Sequence, residues 1–252
     1  MKSIPKLMID VGVAFARIYN RMETTNRCTM PEGPVLFVAN HGFGGIVDLN
    51  LLAVAAAYES LGDDREVITL THAMAWKLGA GRVVEEFDAR PAGHDSATAA
   101  LSDGKHVLVF PGGDLDAMKT WRNRNKVLFS GRSGFARLAM EAGVPIVPIV
   151  TSGAGESLFV ISSGEKLAEI TGAKKLLRAH SFPISLSVPW GLSIGLVGVV
   201  PYLPLPTKLE TTILPAMVAD ENEDGDAFAE RVHTAMQDEM DAQTRNRRPI
   251  VG

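Results

Sequence analysis

Residues 35–48 read Val-Leu-Phe-Val-Ala-Asn-His-Gly-Phe-Gly-Gly-Ile-Val-Asp. The short apolar run Val35–Ala39 predicts a strand buried on both faces. It runs into Asn40-His41, then into a turn holding Gly42, Gly44 and Gly45. Asp48 then opens a helical pattern that reaches Leu61 and stops at Gly62. In open α/β sheets, ligands gather beyond the carboxyl ends of strands, where His41 falls. Glycines there let the backbone approach a ligand closely. A histidine backed by a carboxylate makes a general-base pair, because the carboxylate fixes the tautomer and stabilises the imidazolium. The same residues allow a second reading, with Asp48 only as a helix N-cap and His41 as an ordinary turn histidine.

A second stretch repeats the pattern. Residues 107–116 read Val-Leu-Val-Phe-Pro-Gly-Gly-Asp-Leu-Asp. A buried strand ends in the turn Pro111-Gly112-Gly113, whose amides suit an anion. Trp121, Arg122, Arg124 and Lys126 follow, a cationic and aromatic group fitted to phosphate. Solvated loop bases are the alternative. No Gly-x-Ser-x-Gly elbow is present, and Cys28 has no local base. A base at His41 therefore points to deprotonation of a substrate hydroxyl rather than of an enzyme nucleophile.

Outward from these stretches, further apolar runs predict strands at Val67–Leu70, Val83–Phe87, Ile146–Val150, Ile184–Val188 and Leu209–Leu214. Helical patterns cover Ser96–Leu101, Gly131–Ala142, Ser163–Arg178 and Asp226–Thr244. Alternation of strands and helices predicts an α/β domain with a central sheet flanked by helices. At 252 residues and 46% hydrophobic content, one large domain is expected. A net charge of −4 argues against nucleic acid as partner. One cysteine excludes an intramolecular disulfide framework and a zinc cluster built on cysteines. No secretory signal is read at the N-terminus, so a cytoplasmic location is expected.

Two segments bear on membranes. Leu7, Val11, Phe15, Ile18 and Met22 recur at helical spacing, and residues 1–27 hold five bases and two acids. A basic amphipathic helix of this kind either lies on an anionic lipid surface or packs on its own domain. Residues 181–207 carry no charge, but Pro183, Pro189, Pro201, Pro204 and Pro206 break any spanning helix. Short strands and turns that expose or half-bury apolar surface are expected there instead.

The ordered blocks resemble a known family. They are Asn40-His41 with a downstream Asp48, then Phe87-Asp88-Ala89-Arg90, Val109-Phe110-Pro111-Gly112-Gly113, and Gly143-Val144-Pro145-Ile146-Val147-Pro148. Together they are similar to the glycerolipid acyltransferase superfamily, the lysophosphatidate acyltransferase-like group with a His-x4-Asp motif. Two departures stand out. Six residues separate His41 from Asp48, and Pro-Gly-Gly-Asp-Leu replaces the usual Pro-Glu-Gly-Thr-Arg. The Pro-Gly-Gly form resembles the branch containing diacylglycerol and monoacylglycerol acyltransferases. The resemblance implies a single acyltransferase-like α/β domain over residues 31–252 with a central mixed, largely parallel sheet. An N-terminal amphipathic helix and linker over residues 1–30 would precede it. It further implies transfer of an acyl group from acyl-CoA or acyl carrier protein to a lipid hydroxyl, at the inner face of the cell membrane. His41 would be the base and Asp48 its partner. Arg90 would bind a phosphate, with Pro111, Gly112, Gly113, Arg122 and Arg124 around the substrates. Amides of the Gly112-Gly113 or Gly42–Gly45 turns would stabilise the oxyanion. No metal or redox cofactor is implied. A hydrolase or a non-catalytic lipid binder of the same fold is the alternative.

Overall fold

The computed structural model describes residues 4–43, 48–71, 76, 79, 81–164, 183–195 and 200–252. The expected helix at Ser163–Arg178 falls almost wholly outside them, as do Gly44 and Gly45. In chain order the elements are α1 (Ile4–Tyr19), β1 (Glu23–Asn26), β2 (Leu36–Ala39), α2 (Leu49–Glu59), β3 (Val67–Thr71), α3 (Gly81–Glu85), β4 (Ala89–Pro91), α4 (His94–Ser102) and β5 (His106–Val109). Then come α5 (Gly113–Ala117), α6 (Gly134–Ala142), β6 (Ile146–Ser152), β7 (Phe159–Ser162), β8 (Ile184–Ser187), β9 (Gly191–Ile194), β10 (Glu210–Ile213) and α7 (Gly225–Thr244). Single 3-10 turns form at Trp121–Asn123 and Ala154–Glu156.

The main sheet has seven strands among the described residues, in the order β1-β10-β6-β2-β5-β3-β4. All its pairings are parallel except that of β10 with β6. β2 lies centrally between β5 and β6, which is why all four of its residues are buried. Leu36 and Val38 point to one face, where Val107, Val109, Phe135, Phe228 and Val232 close the core under α4, α6 and α7. Phe37 and Ala39 point to the other, against Val54 and Ala57 of α2. Full burial of each such large side chain contributes about 1.5–3 kcal/mol. At the amino end of the sheet, the Val35 amide donates to His106 Nδ1 at 3.0 Å, joining β5 to the entry of β2.

Several expectations change. The run Val83–Phe87 is not a strand: its first part is the short helix α3, and the chain reverses at Asp88 (φ +57°). The edge strand beside β3 comes just after that turn, at residues 89–91. Its two valines imitate a strand signal, but the pairing position is filled by the next segment. Residues 23–26, expected in a linker, form β1 and extend the main sheet alongside β10. Every residue of β1 is exposed, so it carries no apolar signal to read.

α1 packs on its own domain along one side only. Gly12, Val13 and Ala16 form its narrow inner face, against Leu49, Leu52, Ala53 and Ala56. Leu7, Met8, Val11, Phe15 and Ile18 stand exposed on the rest. Met22, placed on the same stripe by spacing, lies beyond the helix and is buried. Among the described residues no helix is long and apolar enough to cross a membrane.

A second, antiparallel sheet, β7-β8-β9, stands apart from the first. Its alternation is inverted relative to an ordinary surface sheet. Val160, Ser185, Ser187 and Ser193 face inward, while Phe159, Ile161, Leu186, Leu192 and Ile194 face out.

Candidate active site

The turn after β2 is held by paired polar contacts. Asn40 bridges to β6, its side chain donating to the Thr151 carbonyl (3.0 Å) and accepting from the Thr151 amide (2.8 Å). Asn50, at the start of α2, donates to the Asn40 carbonyl (2.7 Å) and accepts from the Gly42 amide (2.6 Å). Gly42 is required here because a Cβ would strike Ala154. The backbone on both sides of His41 is thereby fixed before the histidine itself is considered.

His41 is gripped from below by a buried ion pair. Asp116 Oδ2 accepts from the His41 amide at 2.7 Å, and Lys119 Nζ donates to the His41 carbonyl at 2.6 Å. Lys119 also donates to Asp116 Oδ1 (2.7 Å) and to the Lys126 carbonyl (2.7 Å). The side chains of Asp116 and Lys119 are 2% and 1% exposed. A buried pair of charges persists only when its remaining donors and acceptors are satisfied, and here the His41 backbone satisfies them.

The ring of His41 stacks on Phe110 at 4.2 Å and 19°. Its Nδ1 is buried, lacks a hydrogen bond and lies 3.5 Å from Asp48 Oδ2. The His41 side chain remains 14% exposed. Asp48 serves two neighbours at once. Its Oδ1 accepts from the Asn50 amide (2.9 Å) and the Leu51 amide (3.3 Å), capping α2. Its Oδ2 is the oxygen turned to His41. Capping and dyad, opposed in the sequence reading, are thus divided between the two oxygens. Behind them Tyr202 is buried, and burial, assisted by the Asp48 charge, pushes its phenol well above the usual value.

Pro111, Gly112 and Gly113 lie at the adjacent end of β5, as expected from the strand order. Two of the amides expected to serve an oxyanion are occupied: Gly113 donates to the Phe110 carbonyl (3.0 Å) and Gly42 to Asn50. The glycines here have a packing role. A Cβ on Gly112 would strike the Leu128 carbonyl and Asp116, and one on Gly113 (φ +53°) would strike Arg132. Arg132 donates to the Pro111 and Gly112 carbonyls at 3.0 and 2.8 Å, bracing the turn from outside.

The expected cations separate. Arg124 lies over the Trp121 ring at 5.1 Å and 3.9 Å from buried Glu156. Arg122 is exposed on the same short turn and makes no ion pair among the described residues. Arg90 sits on the edge strand β4, three strands from β2, and donates to the Ala89 carbonyl at 2.9 Å. Its charge acts on Asp88 and Lys105, and the structure does not bring it to His41. Asn50, Asp116, Lys119 and Arg132 were missed by sequence reasoning. Asp116 and Lys119 lie three apart just after the glycine turn, in a stretch whose residue types do not mark them. Among the described residues no cluster of three or more His, Cys, Asp or Glu is placed to hold a metal.

Similarity to known proteins identifies the family and the fold. A family model described as Acyltransferase matches residues 21–152, and one described as Diacylglycerol acyltransferase matches residues 89–242. An uncharacterised protein of Mycobacterium tuberculosis is 29% identical over 201 residues, 77% of this chain and 51% of its own length. Phytyl ester synthase 1, chloroplastic, of Arabidopsis thaliana is 28% identical over 132 residues, 48% of this chain and 18% of that protein. The chain spans about half the length, or less, of the curated relatives it matches. The crystal structure of the 1-acyl-sn-glycerophosphate acyltransferase PlsC from Thermotoga maritima shares the fold, with a TM-score of 0.55 at 13% identity. That match covers 98% of this chain and 85% of that one. With the first model reaching from β1 through the end of β6, the chain belongs to the glycerolipid acyltransferase superfamily.

Proposed function

We propose that the chain moves a fatty acyl group from the thioester of acyl-CoA or acyl carrier protein to a hydroxyl of a glycerolipid or lysophospholipid. The observation that carries this reading is His41 itself: a locked backbone, a buried Nδ1 3.5 Å from Asp48 Oδ2, and a side chain that stays 14% exposed. In the step proposed, His41 Nε2 takes the proton of the acceptor hydroxyl while its oxygen attacks the thioester carbonyl carbon. The carbon–sulfur bond then breaks, the imidazolium returns the proton to the departing sulfur, and an ester is left. Nδ1–H, held toward Asp48, favours the charged ring while it exists. A separation of 3.5 Å before substrate binds is compatible with a bond that tightens in the complex. Arg122, an exposed cation on the turn Trp121–Asn123, is assigned a phosphate of either substrate. The reaction would take place at the inner face of the cell membrane.

The test supplies acyl-CoA or acylated carrier protein with a panel of phosphorylated and neutral acceptors and reads the lipids by mass spectrometry. New ester on a glycerolipid is expected. Free fatty acid alone makes the protein a hydrolase, and neither product makes it a binder.

A further inference from the structure

The second sheet carries its apolar side chains on the wrong face for a soluble domain. Along a strand, successive side chains point to opposite faces, so one choice of register sets the whole face. In β8 and β9 that choice buries Ser185, Ser187 and Ser193 and exposes Leu186, Leu192 and Ile194. Phe159, Leu186 and Leu192 are cross-strand neighbours and make a continuous row. Ile184 and Ile194 form a second row beside it. Val188, Trp190 and Leu203 extend the patch, all at least half exposed. Contiguous apolar surface of this kind marks an interaction site rather than chance exposure.

We infer that the outer face of β7–β9 is the surface that seats this protein on a lipid bilayer, by insertion of apolar side chains. The inference rests on the acyl-transfer reading for why lipid should be near. Three observations choose the bilayer over a protein partner. First, among the described residues the face offers no charged side chain, and the indole N–H of Trp190 is already donated to the Pro201 carbonyl at 2.8 Å. Protein interfaces usually carry about one hydrogen bond per 100–200 Å², whereas hydrocarbon asks for none. Second, cations stand where lipid phosphates would meet the patch. Trp121 packs on Phe159 at 5.1 Å, and Arg122 and Lys126 nearby are exposed without ion pairs among the described residues. Third, the end of α1, whose outer side is also apolar and exposed, is tied to the loop after Leu203, where Tyr19 and Asn20 donate to the carbonyls of Pro204 and Leu205. The underside of the same sheet meets the active-site turn through Phe43, Leu158, Val160 and Tyr202. The arginines of α1 and its exit already have partners: Arg17 pairs with Glu59, Arg27 with Glu239, and Arg21 donates to the Pro206 and Ile250 carbonyls.

The test is partitioning of the full chain onto vesicles of phosphatidylcholine alone and of phosphatidylcholine with phosphatidylglycerol, with no substrate present. The expected result is binding to neutral vesicles that persists at high salt. Anionic lipid should add about fivefold per exposed base, lost in Arg122→Ala with Lys126→Ala. Leu186→Ser with Leu192→Ser should lower partitioning at least tenfold with an unchanged circular dichroism spectrum. Leu192→Ser alone, on the edge strand, should lower it by several-fold. Wild-type partitioning in both of these variants overturns the inference. So does a concentration-dependent dimer that they abolish, with no vesicle binding by the parent protein. Because His41→Ala should partition like the parent, loss of acyl transfer and loss of docking are separately visible.

Discussion

His41 and its neighbours divide two duties that sequence alone leaves confounded. Asn caps a helix about as well as Asp, so Asp48→Asn should keep α2 and the melting temperature intact. It should nevertheless slow acyl transfer on the order of a hundredfold, because the imidazolium loses its carboxylate. His41→Ala should fold normally and lose at least as much, measured as kcat. Full activity in a folded Asp48→Asn protein would leave Asp48 as a cap only. The grip on the His41 backbone makes a different forecast. Lys119→Met removes one partner of a buried pair and strands Asp116, a change that costs about 3–5 kcal/mol. Urea denaturation should register it, and a loss below 1 kcal/mol would mean that the pair is not closed in solution. His41, Asp48 and the glycine turn were legible in the sequence because each follows a buried strand. Asp116 and Lys119 were not, since what they grip is backbone, and backbone leaves no mark in residue type.

At the scale of elements, the strands that were legible are those that fall within apolar runs: β2, β3, β5, β6, β8 and β10. β2, β5 and β6 announce themselves by unbroken apolar runs. β1 is wholly polar and β4 is three residues long, so both are strands by virtue of their neighbours alone. The join between β2 and β5 is open to a pH experiment. His106 accepts from the Val35 amide at Nδ1, which places its proton on Nε2, 3.4 Å from Asp63. Burial holds its pKa below the usual value, with Asp63 opposing. The unfolded chain therefore takes up a proton first as the solution is acidified. The stability that the neutral ring contributes is present above about pH 6.5 and is lost as pH falls below it. Equilibrium denaturation at pH 7.5 and 5.5 should show this loss, and His106→Gln should remove its share of the pH dependence. Equal pH dependence in the variant and the parent would exclude His106 as the source.

Over the whole molecule, distant parts of the chain are tied together behind the active site. Glu156, 1% exposed in its turn after β6, accepts from Arg247 at 2.9 and 3.2 Å and from the Ile250 amide at 2.7 Å. Arg247 also reaches the Lys208 carbonyl, and Arg21 reaches Ile250. Glu156 in turn faces Arg124 of the cationic turn. Arg247→Met should strip buried Glu156 of its principal cation, leaving Arg124 at 3.9 Å, and cost up to about 3–5 kcal/mol, although the residue lies far along the chain from His41. Thermal melting monitored by circular dichroism should show a single transition shifted downward. An unchanged melting temperature would remove this tie from the account. None of it was readable from sequence, because ion pairs across 91 residues obey no local period. The class of fold was readable, because alternating strands and helices obey local periods throughout.

Asp48 also accounts for the unusual spacing of the motif. Its carboxylate is positioned by the first turn of α2, whose amides hold one oxygen, and not by the path of the chain leading to it. Histidine and aspartate are therefore set by two separate rigid supports, the end of β2 and the start of α2. In this chain six residues separate two groups that stand 3.5 Å apart. A search keyed to the His-x4-Asp interval will pass over chains of this kind. One keyed to Asn-His at a strand end, followed by an aspartate that begins a helix, will retrieve them.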